Sequence, residues 1–155
     1  MKTAGKTRVL FVCIHNSARS QMAEALLNHT AGDRFEAESA GLEPGKLNPV
    51  VVEAMREIGF DISDHATKSV TSMLARGRHF DYIVTVCDEA DAERCPIFPV
   101  SAQRLHWPFA DPSSFGGAFE QKLAATPQVR DDIRACIENW AGRSRSSTAE
   151  GRATV

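Results

Sequence analysis

The chain has 155 residues, of which 43% are hydrophobic and 25% charged, as is typical of one ordinary globular domain. Its formal net charge of -2 excludes a global basic field, so we expect no binding to nucleic acid or to a membrane surface through overall charge. No apolar run approaches the roughly 20 residues of a membrane helix and no signal peptide follows Met1, so the sequence predicts a cytoplasmic protein, with a monomer as the default.

The predicted elements alternate between strands and helices. Apolar, β-branched runs predict buried strands, whereas strong helix formers with one apolar face predict helices. In chain order the elements are a strand over 8–12, a helix over 21–29, a strand over 35–39, helices over 49–58 and 70–76, strands over 82–86 and 104–107, and a helix over 119–140. This order predicts a single-domain α/β fold: a doubly wound parallel sheet with helices on both faces and ligands at the carboxyl ends of its strands.

Local signals predict the boundaries of these elements. Ser20 can cap the first helix, Pro49 belongs in the first turn of the second helix, and Gly59 ends that helix. Residues 142–155 are rich in Ser, Arg and Gly without periodicity, which predicts a disordered tail. The domain is therefore assigned to residues 1–141 and the tail to residues 142–155.

The turn between the first strand and the first helix is a candidate anion site, because several of its backbone N–H groups can point inward at one oxyanion. The loop consists of Ile14, His15, Asn16, Ser17, Ala18, Arg19 and Ser20. The guanidinium of Arg19 offers a planar fork for two oxyanion oxygens, and Asn16 tolerates the left-handed backbone that such a loop requires.

Cys13 lies at the start of this loop and is the candidate nucleophile. A nearby helix N-terminus and Arg19 both stabilise a thiolate, and Ser20 can donate a hydrogen bond to it. The alternative interpretation is a buried, inert cysteine that ends an apolar strand. The spacing to Arg19 and the helix that follows favour the catalytic interpretation.

The chain has four cysteines, and a reducing cytoplasm disfavours permanent disulfides among them. Cys87 ends a central strand, as Cys13 does, so both belong at the same sheet edge. Cys95 follows across a short polar loop, and Cys136 falls within an amphipathic helix, where core packing is expected. Taken singly, Cys87 and Cys95 are most simply a buried and an incidental thiol. The spacing of Cys and His residues predicts no metal site.

The run from Cys13 to Ser20 resembles the Cys-x5-Arg-Ser loop shared by low-molecular-weight protein tyrosine phosphatases and the arsenate reductases coupled to thioredoxin. The resemblance spans residues 8–140, and residues 16–24 and 85–96 are particularly similar to the reductase branch. His15 stands where many relatives have glycine, and an exposed loop side chain is its simplest interpretation. The resemblance implies a low-molecular-weight phosphatase-like fold and an enzyme that serves arsenic detoxification.

The pair Asp111-Pro112 resembles the mobile Asp-Pro loop of the same family. The resemblance implies that Asp111 is the general acid, which protonates the leaving oxygen. An ordinary Asp-Pro turn is the alternative. Phosphatase relatives carry tyrosines after this pair, whereas Ser113, Ser114 and Phe115 follow here, so the sequence offers no aromatic wall for phosphotyrosine.

Arsenate and phosphate share shape and charge, so the loop cannot distinguish arsenate reduction from phosphate ester hydrolysis. Reduction needs two electrons, which a second thiol supplies by disulfide formation. The resemblance implies that Cys87 attacks Cys13, that Cys95 then attacks Cys87, and that thioredoxin is the external reductant, with no bound cofactor. Glutaredoxin or a small thiol stays open as the reductant. The alternative functions are a low-molecular-weight phosphatase and a non-catalytic oxyanion or thiol sensor.

A group of four residues is expected to support the loop. Some thioredoxin-coupled reductases bind a potassium ion beside the loop through Asn, Glu, Ser and Asp, and Asn16, Glu24 and Ser39 resemble three of these residues. The fourth position is Lys68, whose ammonium can take the place of the ion and pair with Glu24. The alternative is a solvated surface lysine.

Overall fold

A computed structural model of the chain describes residues 5–77, 79–87 and 102–150. Strand β1 (Thr7–Cys13) lies between β2 (Phe35–Gly41) and β3 (Tyr82–Thr85), and β4 (Gln103–His106) lies outside β3. The pairings of β1 with β2, of β1 with β3 and of β3 with β4 are all parallel. The prediction of a parallel α/β sheet is therefore confirmed.

The helices cover both faces of this sheet. They are α1 (Arg19–Ala31), α2 (Pro49–Arg56), α3 (Val70–Ala75) and α4 (Phe119–Glu150), with a short 3-10 turn at Pro112–Ser114. Successive side chains of a strand point to opposite faces. Accordingly, Val9 and Phe11 pack into a core cluster with α1, α2 and α4, whereas Leu10 and Val12 pack into a second cluster with α3. These four side chains are completely buried, which explains why the sequence of β1 is continuously apolar.

Helix α2 begins at Pro49 as predicted, but it ends at Arg56, before the predicted end at Ile58. Asn48 caps it through a bond from the Val50 amide, and Pro49 is its first residue. At the other end the Gly59 amide donates to the Arg56 carbonyl and the Phe60 amide to the Met55 carbonyl. Gly59 has a φ of +87°, the left-handed conformation that this type of helix end requires.

Helix α1 differs from the prediction at its start. The helix begins at Arg19, after Ala18, and within the described residues no side chain caps it. Ser20 is therefore not the N-cap, because it already lies inside the first turn. Its hydroxyl contacts the Cys13 sulfur instead.

Helix α4 continues to Glu150, beyond the predicted end near Trp140. The predicted end of this helix is thus corrected: residues 142–150 contain no proline and can extend an existing helix one hydrogen bond at a time. The disorder of the tail stays a prediction. The boundary of the domain at residue 141 stays a prediction, and residues 151–155 lie outside the described residues. Within the described part of the chain, no helix is long and apolar enough to span a membrane.

Candidate active site

The loop that connects β1 to α1 turns its carbonyl groups outward, toward the segment that follows β2. The carbonyls of Cys13, Ile14, His15 and Ser17 accept hydrogen bonds from the amides of Leu42, Glu43, Gly45 and Asn48, at 3.1, 2.7, 3.0 and 3.0 Å respectively. In a planar trans peptide the N–H of the next residue points opposite to the C=O. The amides that follow these carbonyls therefore point to the inside of the loop, where they form a concave set of donors suited to an oxyanion.

Gly41 allows this loop to rest directly on the end of β2. A Cβ at this position would lie 2.7 Å from the Ile14 carbonyl oxygen and 2.8 Å from the Asn16 nitrogen. Those distances are far below van der Waals contact, and the near atoms belong to backbone. Any residue with a side chain at position 41 would therefore displace the loop.

Asn16 is the only non-glycine residue with positive φ in the described part of the chain, at 56°. Its side chain is completely buried, and both its Nδ2 and its Oδ1 form hydrogen bonds. The side-chain amide of Gln21 donates to the Asn16 backbone carbonyl and to Asn16 Oδ1, each at 3.1 Å. The backbone amide of Lys68 donates to the same Oδ1 at 2.8 Å. These bonds hold the strained conformation that closes the loop.

Cys13 lies almost fully buried at the floor of the loop, with 3% of its surface exposed. Its sulfur is 2.9 Å from the Ser20 hydroxyl oxygen. That oxygen also receives a hydrogen bond of 2.7 Å from the Asn16 amide nitrogen, which can only donate. Ser20 therefore keeps its own proton for the sulfur, and a thiolate at Cys13 would be stabilised by that bond and by the N-terminus of α1.

Arg19 is buried beside the loop and keeps a donor available for a ligand. One terminal nitrogen donates to the Phe109 carbonyl at 3.2 Å, and the other lies 3.4 Å from Asp111 Oδ2. Its buried Nε makes no hydrogen bond within the described residues. Buried donors are normally satisfied, so an oxyanion in the loop is a suitable partner for this group.

The structure brings Asp111 to the same site, at the start of the 3-10 turn. Its Oδ1 accepts from the Ser113 amide at 2.9 Å and its carbonyl accepts from the Ser114 hydroxyl at 2.7 Å. The ordinary Asp-Pro turn, which is the alternative interpretation of this pair, is therefore present. The carboxylate nevertheless faces Arg19 and is 36% exposed, so it can reach both a bound oxyanion and water.

Cys87 emerges from the strand next to Cys13. Val12 pairs with Thr85, and the Val86 amide donates to the Val12 carbonyl at 2.9 Å. Cys87, which is 1% exposed, and Cys13 belong to the same core cluster. The sheet thus brings the two thiols to one edge, whereas Cys95 lies outside the described residues.

The expected support group also lies together. The Ser39 hydroxyl donates to Glu24 Oε1, and the Lys68 ammonium is 3.8 Å from the same oxygen. The ammonium donates to the Ala66 carbonyl at 3.2 Å as well. Within the described residues no group of three His, Cys, Asp or Glu side chains is arranged to hold a metal ion.

The side chain of His15 lies outside the anion cradle, although its backbone belongs to the loop. Its side chain is exposed, and Nδ1 donates to the Glu43 carbonyl at 2.8 Å. Its φ is not positive, since Asn16 alone has that conformation among the described non-glycine residues. A residue other than glycine is therefore accommodated here without backbone strain.

Two polar residues of the site were missed by the sequence interpretation. Gln21 is fully buried, and its Oε1 accepts from His65 Nδ1 at 3.0 Å while its amide holds Asn16. A buried amide in the first turn of a helix gives no signal in a periodicity pattern. Asn48 was overlooked although Asn before Pro49 is a typical helix start.

These features define a class of protein in which a loop suited to a tetrahedral oxyanion lies over a cysteine at the end of a parallel strand. The chain belongs to the low molecular weight phosphotyrosine protein phosphatase family, whose model matches residues 8–150. The resemblance that the sequence indicated is therefore confirmed.

Its relatives include arsenate reductases. The arsenate reductase of Shouchella clausii is 40% identical over 136 residues, covering 88% of this chain and 96% of that protein. The arsenate reductase structure from Archaeoglobus fulgidus has 32% identity and a TM-score of 0.61, covering 84% of this chain and 98% of that one. The thioredoxin-dependent arsenate reductase of Corynebacterium glutamicum has 31% identity and a TM-score of 0.64; the match covers 87% of this chain but 59% of that protein.

Proposed function

We propose that this chain reduces arsenate to arsenite, with Cys13 as the nucleophile and thiols as the source of electrons. The observation that carries the proposal is the second thiol, Cys87, which lies just beyond the end of the strand adjacent to that of Cys13 and belongs to the same core cluster. Hydrolysis of a phosphate ester requires the loop and an acid but no second thiol. Relatives named as arsenate reductases support the same function.

In the first step the Cys13 thiolate attacks arsenic and forms a sulfur–arsenic bond. The inward amides and Arg19 neutralise the charge on the arsenate oxygens. Asp111 donates a proton to the departing hydroxyl group of arsenate, which leaves as water. Arsenic stays in the pentavalent state at this stage, because no electrons have yet been transferred to it.

In the second step the Cys87 thiolate attacks the Cys13 sulfur. A disulfide forms, the sulfur–arsenic bond breaks, and its electron pair moves to arsenic, which leaves as trivalent arsenite. In the third step Cys95 attacks Cys87, which returns Cys13 to the thiolate and leaves a Cys87–Cys95 disulfide. Thioredoxin reduces that disulfide by supplying two electrons. The proposed enzyme acts in the cytoplasm as a monomer, without a bound cofactor.

The experiment that tests the relay is disulfide mapping by mass spectrometry after one turnover with arsenate in the absence of thioredoxin. We expect a Cys87–Cys95 disulfide in the unaltered chain and a trapped Cys13–Cys87 disulfide in Cys95→Ser. Cys136→Ser is the matched control and should give the wild-type map. Disulfides that do not include Cys87 would refute the proposed relay.

A phosphatase is the second candidate function, because the loop and the Arg19–Asp111 pair would serve a phosphate ester equally well. The two functions respond differently to Cys87→Ser. A phosphatase should keep its full rate on an aryl phosphate, whereas an arsenate reductase should lose multiple turnover. A sensor that only binds oxyanion would show neither reaction.

A further inference from the structure

Asn48 joins three parts of the molecule through separate hydrogen bonds. Its backbone amide donates to the Ser17 carbonyl of the loop at 3.0 Å. Its Oδ1 accepts from the Val50 amide at 2.9 Å and so caps α2. Its Nδ2 donates to the Ser113 hydroxyl oxygen at 3.0 Å, in the turn that carries Asp111. Asn48 therefore links the oxyanion loop directly to the segment of the proposed acid.

The same contacts continue through Asp111 and return to the loop. The Ser113 amide donates to Asp111 Oδ1 at 2.9 Å, while Asp111 Oδ2 lies 3.4 Å from a terminal nitrogen of Arg19. A closed ring of contacts thus runs from the loop through Asn48, Ser113 and Asp111 to Arg19, which is itself part of the loop. Each oxygen of the Asp111 carboxylate has a defined neighbour in this ring.

We propose that Asn48 is a positioning residue, which orients Asp111 over the oxyanion loop through Ser113. The inference rests on the proposed function, in which Asp111 protonates the departing oxygen. The backbone amide of Asn48 holds the loop, whereas its side chain bonds to the Val50 amide and the Ser113 hydroxyl, so the side chain influences the reaction through the segment that carries the acid.

The need for such a device follows from the exposure of Asp111. Its side chain is 36% exposed and, as an aspartate, it can rotate about χ1 unless its oxygens are held. A general acid must lie within about 2.6–3.2 Å of the oxygen it protonates. Arg19 binds the same oxyanion, so the ring that holds Asp111 relative to Arg19 also sets the distance between acid and substrate.

The test uses two variants that break the Asn48–Ser113 bond from either side. Asn48→Ser keeps a good helix cap but is too short to reach Ser113, and Ser113→Ala removes the acceptor while its amide still bonds to Asp111. The loss of one hydrogen bond predicts a kcat lower by roughly threefold to tenfold. The KM for arsenate and the inhibition constant of inorganic phosphate should stay unchanged, because the loop and Arg19 bind the anion.

The matched control is Ser63→Ala. Ser63 forms the same kind of turn, donating from its amide and its hydroxyl to Asp61 Oδ1 at 2.9 and 2.6 Å, without contact to Asp111. This variant should keep the wild-type kcat. Equal losses in Ser63→Ala and Ser113→Ala would show a general effect on folding and overturn the proposal.

A second measurement separates positioning from simple structural support. Each variant is repeated in an Asp111→Asn background, where no acid is left to orient. We expect no further loss of kcat from Asn48→Ser or Ser113→Ala in that background. A loss of the same factor in both backgrounds would refute the inference. Failure of the proposed function would look different: the unaltered chain would not turn over arsenate with thioredoxin.

Discussion

Cys13 is buried and Cys136 is half-buried, and the structure gives the two thiols different surroundings. Cys13 ends a strand beneath inward amides and beside the Ser20 hydroxyl. Cys136 lies within helix α4, where burial raises the pKa of its thiol and Arg143 only partly opposes that effect. Burial without donors keeps a thiol protonated and unreactive, so the donors of the loop, rather than burial, are what the proposed nucleophile requires.

The largest effects are expected from variants that remove the proposed nucleophile, Cys13, or the cation beside its loop, Arg19. Cys13→Ser should give no detectable arsenate turnover, because the nucleophile is lost. Arg19→Ala should lower kcat/KM by about 10²–10³-fold, since the buried cation that faces the oxyanion is lost. Steady-state assays with thioredoxin measure both. Arg134→Ala is the control, as this arginine pairs with Glu138 on the surface of α4; turnover of Arg19→Ala at the rate of that control would sink the assignment of the site.

The next effect concerns Asp111, which we propose protonates the departing hydroxyl group of arsenate. Asp111→Asn should lower kcat by about 10²–10⁴-fold, the usual contribution of a positioned general acid. Binding of inorganic phosphate should remain, because Asn keeps the cap that accepts from the Ser113 amide. Asp61→Asn is a matched control, since Asp61 forms a similar turn with Ser63 at the surface. Equal rates for the two variants would leave Asp111 as an ordinary turn residue.

The sequence predicts the parts of this site that depend on local signals. The apolar run of β1 and the spacing of Cys13 and Arg19 lie within one short segment, so both the strand and the loop are recognisable. The contact between Ser20 and Cys13 was predicted as well, and the two side chains lie 2.9 Å apart. The N-cap role of Ser20 was wrong, because a serine just before a helical pattern resembles a cap, whereas Ala18 holds that position.

Contacts between distant segments explain the remaining differences. The bond from Asn48 to Ser113 joins residues on opposite sides of the site, and no periodicity encodes it. The same is true of the hydrogen bond from His65 to Gln21. The length of α4 was underestimated for another reason: the residues after Gly142 show no periodicity, although an existing helix propagates at little cost.

A smaller effect is expected at Lys68, which supplies a fixed charge near the loop. Its ammonium lies 3.8 Å from Glu24 Oε1, so the unaltered chain should have nearly equal activity in potassium and in a bulky organic cation at matched ionic strength. In Lys68→Ala the Glu24 charge loses this partner, and potassium should then activate by a few-fold. Initial rates in the two salts measure both effects. Several-fold activation of the unaltered chain by potassium would contradict the role of Lys68 as a fixed cation.

The smallest effect is expected at Cys136, the other member of the comparison. Cys136→Ser should keep the arsenate reduction rate within about twofold, because the residue lies in the middle of α4 and takes part in none of the thiol steps. Because burial raises the pKa of Cys136, its thiol stays protonated at neutral pH. Its alkylation by iodoacetamide should therefore become faster only at a pH above the ordinary pKa of a cysteine.

Inorganic phosphate sharpens this last measurement, because it should occupy the loop above Cys13 and leave Cys136 untouched. Labelling at neutral pH, followed at each cysteine by mass spectrometry, should show Cys13 reacting first and phosphate slowing that reaction alone. Faster labelling of Cys136 than of Cys13, or protection of Cys136 by phosphate, would mean that the loop does not confer the reactivity assigned to it. The control is Arg19→Ala, in which phosphate protection of Cys13 should be lost while the labelling of Cys136 stays the same.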